Sequence, residues 1–267
     1  MGIDLKGFHA FITGGSSGFG FEMAKTLLAH NATVAIAARG GDKLEKAYSA
    51  LKEISADVYR VDMDVRDLGS VASAADWVAK NFERVDMLVN NAGIGMRGAN
   101  TGSRDAPTPF YEIPVDAFRN IVETNFIGYF YVARAIVPLI LKSGGGRVVN
   151  VSTGLRTMTA RGQLPYGPAR AAAEAMSVIL TDELKGKNTT VNVLLPGGAS
   201  NTGFVPEDER GRFDLSALLP ASILNEAILF LSSGLAKGMT GERIIGREFD
   251  EWLEKKGLKS EWEHLKM

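Results

Sequence analysis

A glycine-rich segment near the start of the chain, TGGSSGFG (13–20), lies between a β-type run and an amphipathic helical stretch. Glycine permits a tight turn there and lets the backbone come close to a ligand, while the N–H groups and dipole of the following helix attract an anion. The context of strand, turn and helix therefore predicts a site for the pyrophosphate of a dinucleotide. An ordinary glycine-rich turn is the alternative. The residues predicted to contact the pyrophosphate are Gly14, Ser16, Ser17, Gly18, Phe19 and Gly20.

Short β-type runs alternate with helical patterns along the whole chain, and several of the runs are apolar on both faces. The runs are FHAFIT (8–13), TVAIAA (33–38), VYRVDM (58–63), DMLVNN (86–91), RVVNVS (147–152), TVNVLL (190–195) and a weaker ERIIG (242–246). Amphipathic stretches lie between them, including 18–30, 67–82, 114–142, 167–185 and 220–233. This alternation predicts an α/β fold, a doubly wound Rossmann-type domain of about seven mostly parallel strands with helices on both faces.

No linker, compositional shift or fixed repeat divides the chain, so residues 1–267 are predicted to form one domain. Two stretches without periodicity, 95–113 and 197–219, follow predicted strands at their carboxyl ends. Open α/β sheets bind ligands at that edge, so we expect these stretches to wall the substrate site. A charged helical extension, 247–267, with Trp252 and Trp262, covers either its own domain or a neighbouring subunit.

Composition narrows the classes of function. The formal net charge is −1, so the protein has no excess of positive charge that would attract nucleic acid. There is no cysteine and only three histidines, widely spaced, so no metal site is expected. The apolar runs fall short of the roughly 20 residues of a membrane helix, and the first residues do not resemble a signal peptide. We expect a cytoplasmic protein without a membrane partner.

Arg39 follows the second predicted strand. An NAD site usually offers a carboxylate to the ribose at this place, whereas an arginine accommodates the 2′-phosphate of NADP. Arg39 therefore favours NADP(H). Asp42 lies nearby, and a solvated surface arginine is the alternative.

From about residue 6 to about residue 246 the chain resembles the short-chain dehydrogenase/reductase family. The segment 13–20 matches its TGxxxGxG pattern, 90–93 matches its NNAG motif, and Pro196-Gly197 matches its PG motif. The resemblance implies hydride transfer between a nicotinamide and an alcohol or carbonyl carbon. It also implies that Asp64 meets the adenine amine, with a simple helix-cap or strand-end aspartate as the alternative, and that Asn90 ties the sheet together. The further cofactor-binding residues that it implies are Val65, Asn91, Ala92, Gly93, Pro196, Gly197, Ala199 and Thr202, with Asn201 as the alternative to Thr202.

The resemblance also implies a catalytic group. Tyr166 is the acid/base, Thr153 the hydroxyl that holds the substrate oxygen, with Ser152 as its alternative, and Asn125 supports a water in the site. The departure is at position 170, where Tyr-x-x-x-Lys reads Tyr-x-x-x-Arg. Arg170 stays on the helical face of Tyr166 and supplies a positive charge that can also reach the ribose, but it cannot release a proton.

Three hypotheses follow. The first is an NADP(H)-dependent oxidoreductase for a small or medium alcohol/ketone pair. The second is an NADP(H)-binding sensor or scaffold that has lost or altered catalysis, which only Arg170 favours. The third directs the hydride at a C=N or activated C=C bond. The family resemblance further implies a homodimer or homotetramer that pairs through the apolar helix 114–142.

Side chains of the two loop regions suggest how substrate could be bound. Arginines would meet a substrate anion or be solvated, and aromatic residues would form an apolar lid or pack beneath the loops. Met158 and Leu164 lie in a segment that usually faces substrate. The arginines are Arg97, Arg104, Arg156 and Arg161, and the aromatic residues are Phe110, Tyr111, Phe204 and Phe213.

Overall fold

The computed structural model describes residues 2–102, 106–202 and 218–266. Its centre is a seven-stranded sheet, and all the strands are parallel. The strands are β1 (His9–Thr13), β2 (Thr33–Ala38), β3 (Val58–Asp62), β4 (Met87–Asn90), β5 (Gly146–Val151), β6 (Thr189–Leu195) and β7 (Arg243–Ile245). Each coincides with a predicted run to within two residues. The strands β1, β2, β4 and β6 are buried along nearly their whole length, as apolar runs covered on both faces predict, whereas the edge strand β3 is exposed at three of its five residues.

The strand order is β3-β2-β1-β4-β5-β6-β7. The chain therefore adds β2 and β3 on one side of β1, and then returns to add β4 to β7 on the other side of β1. The carboxyl ends of β1 and β4 lie side by side where the direction reverses, and such a switch point opens a crevice for a ligand. The predicted α/β doubly wound architecture is confirmed.

Helices cover both faces of the sheet. The helices are α1 (Gly18–Ala29), α2 (Asp42–Lys52), α3 (Leu68–Asn81), α4 (Val115–Val122), α5 (Gly128–Lys142), α6 (Leu155–Thr159), α7 (Tyr166–Glu183), α8 (Asn225–Ser232), α9 (Phe249–Lys256) and α10 (Lys259–Lys266). The apolar side chains of α1, α2, α8, α9 and α10 form one core with the sheet, and those of α3 and α5 form the core on the other face. The sequence patterns did not single out α2 and α6.

The stretch 114–142, predicted as one helix, contains a π-helical turn at Glu123–Ile127 between α4 and α5. By length and composition, Val115–Lys142 is apolar enough to cross a membrane, so the expectation that every apolar run falls short was wrong here. Nearly half of its most apolar window is buried within the protein, and α5 packs on the sheet. A helix that is apolar around much of its circumference is typical of such a core position.

The carboxyl-terminal extension packs on its own domain. Trp262 in α10 has no exposed surface, and its ring lies 5.3 Å from that of Phe230 in α8. Trp252 and Phe249 in α9 stack at 5.7 Å beside the same phenylalanine. Of the two alternatives for residues 247–267, the structure therefore places the tryptophans in the core formed with α8.

Candidate active site

The loops that carry the sequence motifs meet at one edge of the sheet. Residues 14–17 follow β1, residues 91–93 follow β4, residues 152–154 follow β5 and residues 196–202 follow β6. In a parallel sheet, all of these are carboxyl ends. The four loops therefore surround the crevice at the switch point.

Thr13 joins the glycine turn to the loop after β4. Its buried hydroxyl donates to the carbonyl of Val89 and accepts hydrogen bonds from the backbone N–H groups of Asn91 (2.9 Å) and Ala92 (3.0 Å). The Asn91 amide in turn donates to the carbonyls of Thr13 (2.9 Å) and Gly14 (3.2 Å). Motifs 78 residues apart in the chain thus form one hydrogen-bonded unit, and the side-chain amide of Asn91 is used within it.

The turn fits a pyrophosphate. Gly14 has φ +67°, and a Cβ on it would lie 2.8 Å from the Cα of Ala92, so only glycine allows this close approach of the two loops. Helix α1 begins at Gly18 without a side-chain cap and without an acidic residue in its first turn. Its first N–H groups and dipole are therefore available to an anion. Thr202 lies directly beside Gly18, which favours Thr202 over Asn201 as the residue that faces the turn.

The loop after β6 is held by the segment after β7. Arg247 donates its backbone N–H to the carbonyl of Pro196 (3.1 Å) and its side chain to that of Gly197 (3.4 Å). A parallel bridge joins Ser200 to Leu219. Ala199, between these contacts, is exposed.

At the far end of the crevice, Asp64 is bound by Arg66, a partner that the sequence patterns did not reveal. Nε of Arg66 donates to Oδ1 (3.0 Å) and Nη2 donates to Oδ2 (2.5 Å). This hydrogen bonding lowers the pKa of Asp64, and the charge of Arg39 lowers it further. The N-cap of α3 is Asp67, which accepts from the N–H of Ser70, so Asp64 is not the helix cap. Val65, predicted beside it, has its side chain buried against Gly128 in the core, which leaves only its backbone for a cofactor.

Arg39 is exposed at the end of β2, as an arginine that meets a phosphate or solvent would be. The neighbouring Gly40 lies against the carboxylate of Asp62, since a Cβ there would be 2.6 Å from Oδ2. Asp62 ends β3 and was not among the predicted residues. The carboxyl ends of β2 and β3 therefore carry an arginine, Arg39, and a carboxylate, Asp62.

Tyr166 is the first residue of α7 and is 8% exposed. It packs with Ala99 and Ile121 in a small apolar cluster at the crevice. The loop 95–113 reaches the same place, because Asn100 donates to the carbonyl of Gly162 (3.3 Å), just before α7. The structure thus brings one predicted wall of the substrate site next to Tyr166.

Arg170 lies one turn further along α7 and is buried. Its Nη1 donates to the hydroxyl of Tyr129 (2.5 Å) and to the carbonyl of Val151 (3.0 Å). Its Cζ is 5.5 Å from the ring centroid of Tyr166, as i and i+4 spacing predicts. Burial lowers the pKa of Arg170, but its interactions with Tyr129 and Tyr166 outweigh burial and raise the pKa overall. The guanidinium stays charged.

Asn125 is fully buried in the π-helical turn and clamps the chain after the NNAG motif. Its Nδ2 donates to the carbonyls of Ile94 and Ile121 (both 2.9 Å), and its Oδ1 accepts from the N–H of Ile94 (3.1 Å). These bonds use the side chain to hold the loop after β4. Asn90 donates to the side chain of Asn150 on β5 (2.9 Å), which joins two strands as expected.

Ser152 and Thr153 differ in accessibility. The hydroxyl of Ser152 is buried and has no hydrogen-bond partner within the described part of the chain, whereas Thr153 is half-buried. The carbonyl of Thr153 accepts from Arg243 of β7 (2.8 Å), and Arg243 also pairs with Glu174 of α7. The backbone of Thr153 is thus held by β7, and Thr153 is the more accessible of the two residues.

The residues predicted to contact substrate differ in how exposed they are. Arg97, Arg156 and Arg161 are exposed, and Phe110 and Tyr111 are 73% and 75% exposed and contact each other edge to face. Leu164 is half-buried and Met158 is buried. Three further predicted residues, Arg104, Phe204 and Phe213, lie outside the described ranges.

Comparisons with known proteins identify the family of the chain. A family model for the short chain dehydrogenases matches residues 8–211. The chain is 32% identical over 249 residues to a peroxisomal 2,4-dienoyl-CoA reductase of Danio rerio, covering 88% of this chain and 79% of the reductase.

Solved structures share the fold. The structure of 3-ketoacyl-(acyl-carrier-protein) reductase from Brucella melitensis, complexed with NADH, has a TM-score of 0.76 and 27% identity over 91% of this chain and 97% of its own. A short chain dehydrogenase from Shigella flexneri, complexed with NADP, has a TM-score of 0.81 and 23% identity over 92% of this chain and 100% of its own. With the glycine turn, the NNAG loop and Tyr166 at one edge of a parallel sheet, the chain belongs to the short-chain dehydrogenase/reductase family of NAD(P)-dependent oxidoreductases.

Proposed function

We propose that the protein transfers a hydride between NADP(H) and a small or medium alcohol/ketone substrate, with Tyr166 as the acid/base. The observation that carries the proposal is the position of Tyr166. It lies at the crevice, at the start of α7, with the charged Arg170 below its ring and Thr153 on a neighbouring loop.

The nicotinamide dinucleotide supplies the hydride when it is bound. The turn 13–20 and the first turn of α1 hold its pyrophosphate, since they offer N–H groups free of side-chain caps. The hydroxyl of Thr153 donates a hydrogen bond to the substrate oxygen, and Oη of Tyr166 delivers the proton as that oxygen becomes an alcohol. Arg170 contributes a fixed positive charge, which stabilises the tyrosinate that remains.

Measuring turnover distinguishes a ketone reductase from a protein that has lost its activity. We expect NADPH oxidation with members of a ketone panel that includes 3-oxoacyl thioesters, and loss of at least about a hundredfold in kcat for Tyr166→Phe. Binding of NADPH, followed by fluorescence, should change little in that variant. A Tyr166→Phe variant that turned over at the wild-type rate would show that Tyr166 is not the acid/base.

The preference for NADP(H) rests on Arg39, which is exposed at the end of β2. The carboxylate of Asp62 beside Gly40 is the feature that would favour NAD(H). The compared structures hold NADP in one case and NADH in the other, so they favour neither.

A variant tests the cofactor preference. We expect Arg39→Leu to weaken NADPH binding about tenfold or more and to leave NADH binding nearly unchanged, because only NADPH carries the 2′-phosphate. Arg60→Leu is the matched control, since Arg60 is an exposed arginine of β3 that pairs with Glu45. Equal effects of the Arg39 substitution on both cofactors would contradict the assignment.

The second candidate is an NADP(H)-binding sensor or scaffold, favoured by Arg170 in place of lysine. If NADPH binds but no substrate of the panel turns over unless Arg170→Lys is introduced, this reading replaces the first. A third candidate, reduction of an activated C=C bond, is favoured by the similarity to the 2,4-dienoyl-CoA reductase. Adding a 2,4-dienoyl thioester to the panel, with product analysis, separates it from ketone reduction.

We also propose a homo-oligomer. Apolar side chains remain exposed on the outer helices, with Phe130 of α5 at 48%, Val178 of α7 at 70% and Ile179 at 59%. A contiguous exposed apolar patch is typical of an interface between protein chains, and the oligomer that we propose would cover these side chains. A monomer mass in light scattering at micromolar concentration would contradict the proposal.

A further inference from the structure

The guanidinium of Arg170 is held by a tyrosine of a different helix. Nη1 donates to the hydroxyl of Tyr129 in α5 and to the carbonyl of Val151 at the end of β5. The Tyr129 hydroxyl also donates to that carbonyl (3.0 Å). The three groups therefore form a closed hydrogen-bonded triangle 19 to 41 residues apart in the chain.

Two aromatic rings flank the charge. Cζ of Arg170 lies 5.3 Å from the ring centroid of Tyr129 and 5.5 Å from that of Tyr166. Both distances are within the range in which a cation is attracted to an aromatic ring. Tyr129 thus contacts Arg170 both through its hydroxyl and through its ring, while Tyr166 is the residue proposed to act on substrate.

The site is buried and closely packed. Arg170 is 3% exposed and Tyr129 is 1% exposed. On the remaining side, Nη2 of Arg170 lies so close to Gly93 that a Cβ at that glycine would overlap it. None of the ion pairs within the described part of the chain includes Arg170. A buried charge without a carboxylate depends on the hydrogen bonds and rings that surround it.

A planar guanidinium can donate in several directions at once, but its position is then set by its acceptors. Without the Tyr129 hydroxyl, Nη1 would keep only the Val151 carbonyl, and the long side chain of Arg170 would have other rotamers available. The distance between its charge and Tyr166 would then be held only by the direct interaction of Arg170 with Tyr166. The electrostatic interaction energy falls as that distance grows, and it is larger in a buried site than in water.

We propose that Tyr129 is a positioning residue: it fixes the guanidinium of Arg170 against Tyr166, so that this arginine supplies the charge that the reaction requires. The inference rests on the proposed function of Tyr166. It makes Tyr129 and Arg170 a unit, in which the aromatic hydroxyl on α5 compensates for arginine at a position where the family motif has lysine.

Tyr129→Phe removes one hydroxyl and keeps the ring. We expect kcat for alcohol oxidation to fall about tenfold, with KM for the alcohol and the dissociation constant for NADPH within about twofold of wild type. The pH at which the oxidation rate is half-maximal should rise by about one unit, because a displaced cation favours the tyrosinate less. Tyr131→Phe, in the same helix, is the matched control and should change neither. An unchanged rate and pH profile in a folded Tyr129→Phe protein would overturn the proposal.

A double-mutant cycle tests whether the two residues act together. In an Arg170→Lys background, Tyr129→Phe should change the rate and the pH midpoint by less than about half of its effect in wild type, because the guanidinium that the hydroxyl positions is gone. Equal effects in both backgrounds would show that Tyr129 acts independently of Arg170, and the proposal would be wrong.

A measurement without turnover separates this inference from the proposed function. The near-ultraviolet absorbance of tyrosinate is followed on pH titration, and the step assigned to Tyr166 is the one that is absent from Tyr166→Phe. We expect this step to move to higher pH in Tyr129→Phe and to stay in place in Tyr131→Phe. If wild type has no turnover and the step still moves, the positioning role stands and the proposed reaction fails. If the step does not move, the positioning role fails whatever the activity.

Discussion

Replacement of Trp262 by alanine measures how much the carboxyl-terminal helices contribute to the fold. The indole is fully buried, packs on Phe230 and Phe249, and donates from Nε1 to Glu226 (3.1 Å). Truncating a buried tryptophan costs about 3–5 kcal/mol from lost apolar burial and the cavity that remains. With an unfolding entropy of roughly 2.1 cal/mol/K per residue over 267 residues, a loss of about 4 kcal/mol lowers Tm by about 7 °C.

The assay is equilibrium unfolding in denaturant, with circular dichroism as the signal. Trp252→Ala is the matched control, because Trp252 belongs to the same aromatic cluster but is only half-buried. We expect it to lose about 1–2 kcal/mol, in proportion to the smaller area that it buries. If Trp262→Ala lost less than about 1 kcal/mol, or no more than Trp252→Ala, the reasoning that the extension completes the core would be refuted.

Two further predictions concern the crevice. Gly93→Ala places a Cβ against the Arg170 guanidinium and should reduce kcat about tenfold or more, whereas Gly234→Ala, with open space around its Cβ, should be neutral; equal kcat values would contradict this packing. Arg66→Met should lower the free energy of unfolding by about 0.5–1 kcal/mol near pH 7, since both partners of the Arg66–Asp64 pair are about one third exposed. Because the pKa of Asp64 is lower in the folded state, the unfolded chain binds more protons. The difference in the free energy of unfolding between Arg66→Met and wild type should therefore be complete above about pH 5 and should vanish as the pH falls below the folded pKa of Asp64. If denaturant unfolding showed the same difference at every pH, the Arg66–Asp64 pair would not be its cause.

Local chemistry made much of the site predictable. The turn 13–20 needs glycine wherever the backbone comes close to a neighbour, and that requirement is visible in the sequence as TGGSSGFG. Tyr166 and Arg170 were assigned to one face of a helix because residues four apart share a face. In the structure, the guanidinium of Arg170 lies beside the ring of Tyr166. Most of the strand runs were found because burial on both faces favours apolar residues.

Contacts between distant elements were not predictable in the same way. Tyr129 lies in an apolar stretch of the predicted helix 114–142, and nothing local marks it as the partner of Arg170. Arg66 as the partner of Asp64 was missed, as was the carboxylate of Asp62 beside Gly40. Burial of Val65 against Gly128 likewise depends on how β3 and α5 pack.

The sequence by itself determined the order of strands and helices, the glycine turn and the residue types available for hydride chemistry, because each follows from periodicity or from the steric needs of a few consecutive residues. Only the tertiary structure decided that Trp262 completes a core, that Thr13 joins the turn to Asn91 and that Arg170 is held by Tyr129. These contacts join residues tens of positions apart, and the free energy that selects them comes from packing of the whole sheet and its helices rather than from any one segment.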